Sequence, residues 1–72
     1  MSKSTIDLQA IMRAGGSVSI PSSKSTIDLQ AIARAGGDTG ATLIIRSAEK
    51  KSTVDLQAIA RANPGHVIFE FE

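Results

Sequence analysis

The chain predicts an α/β fold in which three helix-strand repeats build a three-stranded, mainly parallel sheet with the helices on one face. Two observations predict it. A twelve-residue phrase occurs three times, at Lys3–Ala14, Lys24–Ala35 and Lys51–Ala62, and differs only where Val54 replaces Ile6 and Ile27 and where Met12 replaces Ala33 and Ala60. Near-identical phrases should fold as one unit repeated. After each phrase the apolar spacing changes from helical to alternating, so a strand follows each helix, and strands that alternate with helices usually lie parallel. The repeats span residues 3–23, 24–50 and 51–72 of a single domain of 72 residues.

Each phrase carries its own start and stop. Ser4, Ser25 and Ser52 stand three residues before Asp7, Asp28 and Asp55, the spacing of a capping box with Asp in place of Glu or Gln. Gly-Gly after Ala14 and Ala35, and Asn63-Pro64-Gly65 after Ala62, suit a left-handed C-terminal cap. Helices of about ten residues are marginal alone and depend on packing. In the first, Ile6, Leu8, Ala10, Ile11, Met12 and Ala14 sweep a broad apolar arc that leaves Gln9 and Arg13 to solvent. Such an arc fits a helix lying on a sheet with sister helices beside it.

The first strand, Ser17–Ile20, is short and runs into Pro21, which cannot donate to a ladder, so it should lie at an edge or stop early. Thr42–Arg46 and His66–Glu72 are the second and third strands. Leu43 and Ile45 share one face of the second, and Val67, Phe69 and Phe71 share one face of the third. The other face of the sheet should show Ser17, Ser19, Thr42, Ile44, Arg46, His66, Ile68, Glu70 and Glu72. Lys3 to Lys24 is 21 residues and Lys24 to Lys51 is 27, and the additional residues fall within Gly36–Lys50 as a longer connection.

A chain this short buries only about 60% of its unfolded surface, so a partner chain is a natural source of further stability. Hydrophobic residues make up 42% of the chain, but Phe69 and Phe71 are its only aromatics, and the core must come from Ile, Leu, Val and Ala. No cysteine is present, which excludes disulfides and thiolate metal sites and fits a cytoplasmic protein. A net charge of +1 gives no general pull toward nucleic acid or an anionic membrane. No apolar run approaches a membrane span, and the Met1-Ser2-Lys3 start leads into no signal-peptide core. Neither terminal repeat shows a polar cap, so self-association is expected, with Ile44, Arg46, Ile68, Phe69 and Phe71 as candidate interface residues and a homo-oligomer or a protein partner as the outcome. A head-to-tail contact would give a ring and an isologous one a dimer.

The alternation of strand and helix at this period resembles the leucine-rich repeat class, where the spacing is about 20 to 29 residues. That resemblance implies a solenoid that binds protein. The family's leucines followed by asparagine are not met: Leu43-Ile44-Ile45-Arg46-Ser47-Ala48 has no asparagine, and Asn63 follows a helix, so no ligand residue carries over. Identity at Gln9, Gln30 and Gln57 exceeds what packing requires and points to recent duplication or engineered symmetry.

No constellation for catalysis emerges, no cofactor is implied, and the chain is not expected to be an enzyme. His66 has no second histidine for a metal pair and reads as a strand-start residue, although Glu70 or a serine is its conceivable acid-base partner. Asp7, Asp28 and Asp55 would form a carboxylate ladder if stacked, but capping accounts for them. Gly36-Gly37-Asp38-Thr39-Gly40 lacks the Gly-Lys-Ser/Thr ending of a phosphate-binding loop and reads as a turn. Arg13, Arg34 and Arg61 should form a row on the helices, joined by Lys3, Lys24 and Lys51. This row supports an alternative function, binding of nucleic acid or another polyanion; it lacks aromatics for base stacking, and solvated cations covering apolar surface are the plainer reading. Asp28–Gly36 is also similar to the first helix and turn of the helix-turn-helix of LacI-type repressors. There the turn leads into a recognition helix, whereas here it leads into strand-like sequence.

Overall fold

A computed structural model describes residues 4–72. Helices α1 (Thr5–Arg13), α2 (Thr26–Ala35) and α3 (Thr53–Ala62) alternate with strands β1 (Val18–Pro21), β2 (Leu43–Arg46) and β3 (Val67–Phe69). The sheet order is β1-β2-β3 and both pairings are parallel, as the alternation predicts. The register aligns Val18, Leu43 and Val67 in one row, Ser19, Ile44 and Ile68 in the next, and Ile20, Ile45 and Phe69 in the third. α2 packs against both α1 and α3, so the helices form one layer.

The core lies between that layer and the inward rows of the sheet. Leu8, Met12, Leu29, Ile32, Leu56 and Ile59 come down from the helices onto Ile20, Leu43 and Ile45, and Val18, Val67 and Phe69 pack around them half-exposed. The broad apolar arc expected of each helix is corrected here. Leu8 and Met12 are buried, but Ile6, Ala10, Ile11 and Ala14 are exposed, and Ile6 with its counterparts Ile27 and Val54 is 71–75% exposed. Helical geometry explains it: residues two apart stand about 200° apart around the axis, so Ile6 must face outward once Leu8 faces the sheet. Ile11 shows the lateral contact. Its counterparts Ile32 and Ile59 each have a preceding helix and are fully buried.

The serine half of each expected capping box forms. Ser4, Ser25 and Ser52 each accept at Oγ the N–H of Asp7, Asp28 or Asp55, in every case at 3.2 Å. Removing the central cap with Ser25→Ala should lower the unfolding free energy by about 1 kcal/mol. Chemical denaturation would read this directly, and an unchanged midpoint would show that the cap is dispensable.

The helix ends depart from expectation in two of three copies. Gly15, after α1, is left-handed at φ 97°. α2 instead ends at Gly36 in a right-handed conformation and continues through a series of turns to Gly40, which is the left-handed residue at φ 74°. At the end of α3, Asn63 has φ −151° and Gly65, two residues on, is left-handed. Asn63 is buried, and its Nδ2 donates to the Ala41 carbonyl at 3.1 Å, tying the third repeat's turn to the second's. Asn63→Ala strands that buried carbonyl and should cost about 1–3 kcal/mol. A loss below 0.5 kcal/mol in urea denaturation would show that the Ala41 carbonyl finds another donor.

The longer second connection has a defined form. Four residues separate α1 from β1 and α3 from β3, whereas seven separate α2 from β2. Within those seven, Thr39 Oγ1 reaches back to the Met12 carbonyl at 2.9 Å and caps the end of α1. After β2, Ser47 turns left-handed at φ 55° and starts a 3-10 turn at Ala48–Lys50 that the alternating pattern does not announce. This turn also shortens β3 from the expected His66–Glu72 to Val67–Phe69, because β2 ends at Arg46. The third strand's backbone still pairs past that point, with Glu70 N–H donating to Ile45 and Ala48 N–H to Glu70, both at 2.9 Å.

Candidate interaction surfaces

The strand period of two places every other side chain on the face away from the helices. Its central row is Ser19, Ile44 and Ile68, with Ser19 exposed, Ile44 half-buried on the middle strand and Ile68 50% exposed on the last. Arg46 stands exposed on the same face, in register with Pro21. Phe69 lies on the helix side and packs against the core, while Phe71, beyond the last ladder residue, is 63% exposed. The five candidate interface residues therefore separate: Ile44, Arg46 and Ile68 lie on the open face, Phe69 on the helix side, and Phe71 is exposed beyond the ladder.

At the end where the strands terminate, successive repeats link in steps. Ser22 Oγ donates to the Ser47 carbonyl at 2.8 Å and Ser47 Oγ donates to Glu72 Oε2 at 2.7 Å. Glu72 N–H in turn donates to Glu49 Oε1 at 3.2 Å. These bonds offset the left-handed backbone of Ser47, a conformation disfavoured for residues with a Cβ. At the opposite end Ser17 Oγ accepts from Thr42 N–H at 2.9 Å. Nothing in the sequence pattern announces this ladder, since it joins residues about 25 positions apart that only the register brings together.

On the helix layer Arg13, Arg34 and Arg61 are all exposed at equivalent positions, and Lys24 and Lys51 are half-buried at the approaches to α2 and α3. Lys3 lies outside the described residues. The ends of α1 and α2 enclose a shallow open groove lined by Gln9, Arg13, Arg34, Asp38 and Thr39 with two alanines. Asp38 places a carboxylate among those cations. The glycine-containing loop that carries it serves α1 through Thr39.

The remaining sequence candidates stand apart. His66 is exposed and engages the fold through its backbone, its carbonyl accepting from Leu43 N–H at 2.9 Å. Asp7, Asp28 and Asp55 begin separate helices, and among the described residues no three His, Cys, Asp or Glu side chains group to hold a metal ion. Among the same residues no helix is long and apolar enough to cross a membrane. Ile6, expected within the apolar arc of α1, and its counterparts Ile27 and Val54 are exposed on the helix layer.

Comparison with protein-family models, with curated proteins and with solved structures finds no match to this chain.

Proposed function

We propose that this chain is a non-catalytic interaction module of the solenoid kind, which self-associates through its sheet edges or its open sheet face. One observation carries the reading: β3 is paired on one side only, and the large apolar side chains left uncovered on the sheet, Ile68 and Phe71, belong to that strand and its extension. An unpaired strand edge flanked by exposed apolar groups is a template for pairing with another chain. The test is size exclusion with light scattering on the native chain, on Ile44→Asp and on Ile68→Asp, with circular dichroism to confirm that each variant is folded. A discrete oligomer that dissociates in a folded variant supports the module; a native monomer at millimolar concentration ends the proposal.

A second reading, a polyanion binder, is favoured by the groove that brings Arg13 and Arg34 together. It expects salt-sensitive binding to a nucleic acid or heparin that weakens when Arg13, Arg34 and Arg61 are all changed to Gln. Absence of binding at low salt eliminates it.

A further inference from the structure

The hydrogen-bond parity of the two outer strands distinguishes them as docking edges. On β1, Val18 N–H donates to Thr42 and Ser22 N–H to Arg46, both at 3.1 Å, so the even-numbered residues address β2. Ser19 and Pro21 therefore face outward, and Pro21 has no N–H to offer. On β3, His66 accepts from Leu43 and Glu70 donates to Ile45, both at 2.9 Å, so again the even-numbered residues address β2. The N–H and C=O groups of Val67 and Phe69 consequently point away from the sheet, and this outward edge keeps every donor.

Three arrangements of two copies can be compared. A parallel head-to-tail junction of β3 with β1 of another copy requires the missing donor of Pro21 opposite the Phe69 carbonyl, which is left orphaned at a buried seam. A junction of two β1 edges has the same defect twice. An antiparallel junction of two β3 edges has none. With Ile68 on the twofold axis, Val67 faces Phe69 of the second copy and the pair exchanges both of its backbone bonds, and symmetry repeats the exchange on the other side of the axis.

The side chains agree with that register. Ile68 meets Ile68 of the second copy as a close, non-hydrogen-bonded pair on the open face. On the same face Glu70 lies opposite His66 of the second copy, twice, so that carboxylate faces imidazole and no like charges are opposed. On the helix side Val67 lies opposite Phe69 of the second copy, an apolar pair.

We infer that two copies of this chain join edge to edge through β3, antiparallel about a twofold axis at Ile68, to make one continuous six-stranded sheet. This rests on the self-association proposed above and specifies its partner surface. It also limits assembly to two copies, because the edge left at each end is β1 with its proline.

The chain contains no cysteine, so single thiols can report the junction. Ile68→Cys places two thiols where opposed Cα atoms are about 4.5 Å apart, inside the range of about 4.4–6.8 Å that a disulfide spans. Under a glutathione redox buffer this variant should convert to a disulfide-linked dimer. Ser19→Cys, in the same row on β1, should remain unlinked alone and when mixed with Ile68→Cys. Native chain should elute at twice its 7.5 kDa mass. A second, non-covalent test uses charge: His66→Glu and Glu70→Lys should each raise the dimer dissociation constant about fivefold, and the double variant should restore it.

A native chain that stays monomeric overturns both the inference and the reading beneath it. An oligomer in which Ile68→Cys does not cross-link with itself, in which Ser19→Cys cross-links, or in which the double charge variant shows no rescue, overturns the inference while leaving self-association standing.

Discussion

Ile45→Ala should lower the unfolding free energy by about 3 kcal/mol, within the roughly 2–5 kcal/mol range for truncating a buried isoleucine. Ile45 is the position where the fold has least room to relax. It is fully buried, it occupies the middle strand, and in register it sits between Ile20 and Phe69 beneath the helices. A chain of 72 residues has a total stability of about 4–11 kcal/mol, so this one change consumes a large part of it and can unfold much of the population. Ile44→Ala, one residue away on the open face, should cost less than half as much, because Ile44 is only half-buried. Urea denaturation monitored by circular dichroism, with unchanged m-values, gives both numbers. Equal losses at the two positions would show that the helix layer does not define the core.

Met12→Ala should cost about 3 kcal/mol, although alanine is what the other two copies carry at that position. The reason lies in the second anomaly of the sequence, the longer connection after α2. Met12 is fully buried. A Cβ built on Gly36 would stand 2.7 Å from Met12 Cε and 3.0 Å from the Ala41 carbonyl. The longer turn thus folds back over the end of α1; Thr39 holds the Met12 carbonyl from above and the methionine side chain fills the space beneath Gly36. Gly36→Ala should destabilise by about 1–3 kcal/mol through overpacking, although its backbone conformation is open to any residue at φ −88°. In the Met12→Ala background the closest clash disappears. The double variant should therefore be more stable than the sum of the singles predicts by at least about 1 kcal/mol. Additivity within about 0.3 kcal/mol would mean that Met12 and the turn do not touch in solution.

What the sequence made legible was what depends on near neighbours. The caps at Ser4, Ser25 and Ser52 follow from a three-residue spacing, and the edge position of β1 follows from a proline that cannot donate. The parallel order follows from the alternation of periods. The open-face placement of Ser19, Ile44 and Ile68 was readable because strand side chains alternate strictly. Illegible features depend on contacts between repeats. Asn63 looked like a cap because its partner Ala41 is 22 residues away. The left-handed Ser47 was unmarked because its compensating bonds come from Ser22 and Glu72. Ile6 is different: helical angles alone place it outward once Leu8 and Met12 face the sheet.

Because the helices are almost the same phrase while the strands are not, the helices cannot identify their own places in the stack. α1, α2 and α3 offer each other interchangeable flanks, and each strand pairing closes over about 25 residues, with no hairpin to seed it. Placement must come from the unrepeated parts: Val18–Pro21, Leu43–Arg46, Val67–Phe69 and the turns that tie them. These segments act as address labels on identical parcels. Exchanging β1 with β3 while keeping all three phrases intact should scramble delivery, leaving helical content in a chain that has lost its single ordered arrangement.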